Sequence, residues 1–311
     1  MNDLVLHHYP ASPFAEKVRL MLGHKRLSWK SVFIPMVMPK PDVIALTGGY
    51  RKTPILQVGA DIYCDTALIA EVLDELAPAQ PALSGPQPDL ARCLAQWADA
   101  TLFWAAMSHS MQAAGMAQLF AKATPQAMQA FAEDRKAMSA GLARPRPADG
   151  TAAYRSYLLR LEHMLEASPF LLGQQPGVAD FAAYHPLWFN RTQTPAMADV
   201  LQVCPKVLAW MDRMAAIGHG QIERYSAQQA IDLARQSTPR SLEGEPFHDE
   251  HGIALGSRVS VAAEGFGPEP TEGHLLAATA SRYVLGRSDE RAGSVQVHFP
   301  RVGYALRALK D

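Results

Sequence analysis

The sequence predicts three successive units: an α/β unit, an all-helical unit and a small antiparallel β module. Three observations predict it. Over residues 1–78, short apolar runs alternate with amphipathic helix patterns, giving βαβ, then a hairpin, then a helix. From residue 90 to residue 229 helical periodicity is almost unbroken. Beyond that the pattern changes to the two-residue alternation of strands. A chain of 311 residues has room for two or three domains, and 48% hydrophobic with 19% charged residues supplies their cores. The expected partition is 1–78, a linker at 79–89, then 90–229, a second linker at 230–252, and 253–311.

Leu4, Val5 and Leu6 read as a strand buried on both faces that closes at His7, His8 and Tyr9. Ser12 and Pro13 form a helix start, with a hydroxyl at the N-cap and proline where its missing N–H costs nothing. Phe14, Val18, Met21 and Leu22 share one face of this helix, which should stop near Gly23. Residues 28–35 (SWKSVFIP) read as the second strand, and residues 38–50 (MPKPDVIALTGGY) as a loop with at most a short helical turn. Residues 54–58 and 61–64 make a hairpin about Gly59 and Ala60. Asp65 and Thr66 then start a helix that puts Leu68, Ile69, Val72, Leu73 and Leu76 on one face.

Prolines and polar residues mark the first linker. In the helical unit, Trp97, Phe103, Trp104, Met107 and Met111 form a stripe that suits either a core or an adaptable apolar pocket. Residues 124–143 are amphipathic, residues 144–150 (RPRPADG) break the pattern, and residues 151–166 resume it. Gly177 and Asp180 mark a helix start that lacks the capping hydroxyl, and Asp180 reads as structural. Residues 204–217 are the last core helix. In the tail, strands are expected at 257–264, 274–287, 294–299 and 303–309, forming a small antiparallel sheet or SH3-like barrel. It docks on the helical unit, makes a dimer contact or binds a partner; the first is the simplest.

A net charge of −1 argues against a nucleic-acid partner. No run is long and apolar enough for a membrane span, and the first residues have no basic-then-apolar leader, so a cytoplasmic protein is expected. Cys64, Cys93 and Cys204 show no CxxC or zinc spacing, which fits unpaired thiols in a reducing compartment. His248, Asp249, Glu250 and His251 lie in a linker with nothing rigid to hold a metal, so none is expected there. Motifs for nucleotide, serine-hydrolase and zinc-protease chemistry do not occur.

Taken in order, YPASPFAEKVR at 9–19, KTPIL at 52–56 and CDTALI at 64–69 resemble the N-terminal domain of the glutathione transferase superfamily, a thioredoxin-like fold. The SPF…KVR string is most similar to serine-type plant tau, zeta-like and related bacterial members. Residues 90–229 resemble the family's all-helical C-terminal domain, and the resemblance stops before the tail.

The resemblance implies that Ser12 is the catalytic hydroxyl, donating to the glutathione sulfur at the positive end of its helix and so lowering the thiol pKa. A plain N-cap is the alternative, with the same geometry. Omega-type relatives have cysteine at this place, so serine implies thiolate stabilisation without covalent exchange. Tyr9 is the rival donor; the tyrosine of other classes falls nearer His8, which leaves Tyr9 to pack beneath the helix. Thr53–Pro54 matches the family's cis-proline step, where the backbone of Thr53 pairs with the cysteinyl unit. Asp65 and Thr66 stand where Glu-Ser or Asp-Ser is usual, to receive the γ-glutamyl ammonium and carboxylate. Lys52 or Lys40 reaches the glycyl carboxylate, or is simply solvated. Phe14, Phe103, Trp104, Met107 and Met111 line the electrophile pocket. The implied activity is attack of glutathione thiolate on a small apolar electrophile, in a homodimer with a detoxifying role. Peroxide reduction, isomerisation and dehalogenation would use the same thiolate, and a non-catalytic binding or interaction protein is the alternative.

Overall fold

The computed structural model describes residues 3–142 and 145–310. The first unit runs β1 (Leu4–His8), α1 (Pro13–His24), β2 (Ser28–Phe33), α2 (Pro41–Thr47), β3 (Ile55–Val58), β4 (Asp61–Cys64) and α3 (Thr66–Leu76). Strand β1 pairs parallel with β2 and antiparallel with β3, which pairs antiparallel with β4. This is the thioredoxin-like arrangement. Alternation along β1 sends Leu4 and Leu6 into one core and Val5 into another. The run is continuously apolar because both sheet faces are covered. Helices α1 and α3 contribute to the first core, while α2 contributes to the second. Where a loop is expected, α2 holds seven residues. Its proline stands in the first turn and Gly48 closes it at φ 80, so the punctuation marks the two ends of a helix.

The helical unit contains α4 (Pro88–Trp97), a π-helical turn (Ala98–Leu102), α5 (Phe103–Ser110), α6 (Ala113–Leu119), α7 (Pro125–Met138), α8 (Pro147–Met164), α9 (Val178–Thr192), a 3₁₀ turn (Pro195–Leu201) and α10 (Pro205–Ala215). Ala143 and Arg144 lie outside the described residues; of the break expected at 144–150, residues 147–150 are instead the first turn of α8, where the proline starts the helix. Helix α9 is the central element, packed against α1, α4 and α5.

The helical pattern expected to continue to residue 229 stops at α10. Strand β5 (Gln221–Arg224) pairs parallel with β2 on the far edge of the sheet. Helix α11 (Ala227–Gln236) runs across the expected boundary and buries Ala230, Ile231 and Ala234 in the second core, beside α2. Its polar sequence hides this, since only one narrow stripe is apolar.

The tail forms β6 (Arg258–Ala263), β7 (Thr271–Ala278), β8 (Arg282–Asp289), β9 (Gly293–Pro300) and β10 (Tyr304–Ala308). The single strand expected at 274–287 is two strands, because Thr279 Oγ1 accepts the amides of Ser281 and Arg282 and turns the chain. The strands are antiparallel, in the open order β10-β6-β7-β8-β9. Strand β9 also pairs parallel with β4, placing Ile62 opposite Val297. The tail therefore extends the first unit's sheet to ten strands and does not rest chiefly on the helical unit. Two needs explain the attachment. Strand β4 would otherwise offer an unpaired edge. The α2 side of the sheet presents Val5, Val32, Ile55 and Ile62, which share a core with Val259, Leu275, Leu285 and Phe299.

Candidate functional site

Register brings the candidate residues to one end of the sheet. His7 lies opposite Ile55, and Ile55 opposite Cys64. The turn from β1 to Ser12, the Thr53–Pro54 step before β3 and Asp65 after β4 therefore adjoin. The Thr53–Pro54 bond is cis. Ser12 is buried at the N-cap of α1, where its Oγ accepts the amide of Ala15 at 3.2 Å. The cap uses an oxygen lone pair, so the O–H remains available as a donor.

Neither lysine is a solvated surface residue. Lys40 is 4% exposed; its Nζ donates to the Arg51 carbonyl at 3.2 Å and lies 3.5 Å from Thr53 Oγ1. Burial, helped by nearby Arg135, pulls its pKa down to about 8. The Lys52 ammonium sits 4.8 Å from the Tyr304 ring centroid and 5.4 Å from that of Tyr50. Burial lowers its pKa too, with Asp65 opposing.

Asp65 has φ 78, a left-handed conformation unusual for a side-chain-bearing residue. Its Oδ1 caps α3 at the Ala67 amide (2.9 Å), its own amide donates to Tyr50 Oη (3.1 Å), and its Oδ2 accepts the Tyr304 hydroxyl (2.9 Å). Thr66 Oγ1 accepts from the buried Lys17 ammonium at 3.0 Å. Lys17 also meets Asp99 Oδ2 at 2.5 Å, and His185 Nε2 donates to Asp99 Oδ1 at 3.0 Å. Asp99 lies in the π-helical turn, a common device for redirecting a side chain. Burial raises the Asp99 pKa, but Lys17 and His185 outweigh it and hold the carboxyl below its usual range.

An aromatic row starts beside Ser12. Phe14 lies 4.4 Å from the His185 ring and 4.8 Å from Phe103, Phe103 lies 5.1 Å from Trp104, and Trp104 lies 5.3 Å from Phe266. Met107 packs against the first core and Met111 closes the end of α5. Phe266 belongs to the loop between β6 and β7, which wedges between the first two units. The Gly267 amide donates to the Met138 carbonyl at 2.7 Å, and Glu269 pairs with Arg51 at 2.6 Å. Gly267 has φ 68, and a Cβ there would come within 3.0 Å of Lys52 Cγ and Met138 Cε, so the wedge needs glycine.

Tyr9 packs against the second core, on the α2 side, and not beneath α1. In the 248–251 cluster, Asp249 accepts the amides of His251 and Ile253 while Glu250 pairs with Arg301, so these residues close a loop. Two surface cavities, one between α8 and α10 at Pro169 and Arg213 and one between α5 and α8 at Trp104 and Tyr157, do not reach Ser12 or Asp65. The candidate site is defined by polar geometry, not by these hollows. Tyr304, Phe266, Lys17 and Asp99 escape sequence reading because each acts through a partner far along the chain.

Comparison with known proteins follows the same division. Residues 6–81 match the profile of the glutathione S-transferase N-terminal domain, and residues 118–213 that of its C-terminal domain. The crystal structure of a GST-like protein from Pseudomonas syringae is 41% identical, spans 99% of this chain and 100% of that chain, and has a TM-score of 0.82. FtsZ-localized protein A of Caulobacter vibrioides is 27% identical over 187 residues, covering 58% of this chain and 74% of its own. A Tau class glutathione S-transferase from mango, Mangifera indica, shares the fold at 17% identity and a TM-score of 0.51, over 69% of this chain and 89% of its own. Profile matches in both of the first two units, together with an end-to-end relative that includes the tail, place this chain in the glutathione S-transferase superfamily.

Proposed function

We propose that the protein is a glutathione transferase-like enzyme. The observation that carries this reading is the free O–H of Ser12 at the N-terminus of α1, on the sheet end it shares with the cis Thr53–Pro54 step and Asp65. The residues suit the tripeptide. Thr53 and Pro54 present backbone to the cysteinyl unit, Asp65 suits an ammonium, and Thr66 at the start of α3 suits a carboxylate. Lys52, with Lys40 beside Thr53, suits the glycyl carboxylate. Ser12 donates to the sulfur, and the positive end of α1 stabilises the charge further. The thiol proton passes to water, and the sulfur lone pair attacks an apolar electrophile held among Phe14, Phe103, Trp104, Met107 and Met111. The new C–S bond forms as a leaving group departs with its electron pair, or, on an activated double bond, as the π pair moves to the neighbouring atom and takes a proton from water. A cytoplasmic homodimer with a detoxifying role goes with this reading, and the unpaired Cys64, Cys93 and Cys204 fit a reducing compartment.

Thermal shift tests it first. A ligand at a hundred times its Kd stabilises by about 2.7 kcal/mol, so millimolar glutathione should raise the midpoint by several degrees. Ser12→Ala should then retain binding but raise the bound thiol's pKa by roughly one unit, read by ultraviolet thiolate absorbance. An unaltered titration removes Ser12 from the mechanism. A panel of electrophiles and peroxides separates conjugation from peroxide reduction, isomerisation and dehalogenation.

A second reading is a non-catalytic protein that binds a partner on the same scaffold. Two observations favour it: both Asp65 carboxylate oxygens already have partners within the chain, and one relative is named for its localisation with FtsZ. A midpoint that glutathione leaves unmoved supports it.

A further inference from the structure

The tail reaches the Asp65 carboxylate of the candidate tripeptide site through the side chain of Tyr304. Tyr304 opens β10, is 5% exposed, and donates its hydroxyl to Asp65 Oδ2 at 2.9 Å across 239 positions of sequence. Its ring lies 6.4 Å from that of Tyr50, whose hydroxyl accepts the Asp65 amide. Asp65 needs such support. Its backbone sits at φ 78, where an ordinary residue is strained, and one carboxylate oxygen is committed to capping α3. The Tyr304 hydroxyl holds the other oxygen, so that two bonds together fix the plane of the carboxylate.

We propose that Tyr304 is a positioning residue of the tripeptide site, fixing the Asp65 carboxylate in the orientation that receives the γ-glutamyl ammonium of glutathione. The proposal rests on the glutathione reading above. A carboxylate offers about four lone-pair directions, so the bonds from Ala67 and Tyr304 leave acceptor capacity for a cationic ligand group. Holding the acceptor in place before binding removes an ordering cost from the encounter. The benefit is confined to ligands that carry the ammonium. On this view the tail, which lies outside both matched family domains, completes the site that those domains begin.

The test is calorimetric titration of the full-length protein with glutathione and with the glutathione analogue that lacks the γ-glutamyl amino group. Tyr304→Phe keeps the ring and removes only the donor. It should weaken glutathione binding about five- to thirtyfold. It should change the analogue's Kd by less than about twofold, so that discrimination between the two ligands shrinks. If the unmodified protein shows no saturable binding of glutathione, the glutathione reading fails and this proposal falls with it. If the unmodified protein binds and Tyr304→Phe keeps both affinities, the positioning role alone is overturned. Should Tyr304→Phe fail to fold, Asp65→Asn must abolish the discrimination, and its persistence overturns the proposal.

Discussion

Asp180 gathers three parts of the helical unit on one carboxylate. It is 1% exposed and accepts the Leu171 amide at 2.9 Å, the Gly177 amide at 3.0 Å and the Trp210 indole N–H at 2.9 Å. Gly177 cannot return a side-chain bond, so only the aspartate's half of the reciprocal cap at the start of α9 is made. Burial pushes the carboxyl's pKa up, and the three donors work against that push. Asp180→Ala would strand three buried donors at about 1–3 kcal/mol each, a total loss of roughly 3–9 kcal/mol. Asp180→Asn keeps one acceptor oxygen and should lose less. Urea unfolding measures both, and an alanine variant less than about 1 kcal/mol weaker than the parent would contradict this account.

Strand β1 carries adjacent histidines on opposite faces, and the fold holds both neutral. His7 meets Gln57 Oε1 at 2.8 Å, and burial pushes its pKa down to about 4, with Gln57 and Asp42 opposing. His8 meets Ser31 Oγ at 2.8 Å and accepts from Arg19 at 3.1 Å. Burial, then Arg19, His7 and His219, push its pKa to about 3 against the pull of Glu16. In the unfolded chain both titrate near 6.5. Below that value the unfolded chain binds more protons than the native one, so stability falls with pH, by roughly 1.4 kcal/mol per unit for each histidine. The His7 contribution is spent near pH 4 and the His8 contribution near pH 3. Thermal midpoints should therefore drop steadily from pH 7 to 4, and a level profile would show that these rings do not stay neutral. Elements with local chemistry were legible in the sequence: Ser12 and Pro13 for α1, Gly59 for the hairpin, Asp65 for α3. Strand β5 was not, because Gln221–Arg224 is exposed throughout and held by backbone pairing with β2, which leaves no alternation to read. The candidate site divides in the same way. Ser12, Thr53 and Asp65 carry short-range signals, whereas Tyr304 with Asp65 and Lys17 with Asp99 exist only once distant elements pack.

At the scale of the whole molecule, the described residues form two cores, and these do not coincide with the three units that the sequence's changes of pattern suggest. The first unit contributes to both, because its sheet is covered on each face by a different partner. Val5, Val32, Ile34, Val43, Leu46, Ile55 and Ile62 face the second core, which α11 and the tail strands complete. At roughly 1.5–3 kcal/mol for each buried side chain, exposing even half of that set costs an amount comparable with the roughly 5–15 kcal/mol that stabilises a typical domain. Loss of β9 would also bare the β4 edge at Asp61, Ile62 and Tyr63. A chain ending after Tyr225 should therefore keep much of its helical far-ultraviolet signal while losing near-ultraviolet structure and a cooperative thermal transition. The full chain should unfold in one step, with tryptophan fluorescence, which reports only on Trp29, Trp97, Trp104, Trp188 and Trp210 in the first two units, moving together with the β signal of the tail. A truncated protein that stays soluble and melts within a few degrees of the parent would mean that the second core holds without α11 and the tail strands.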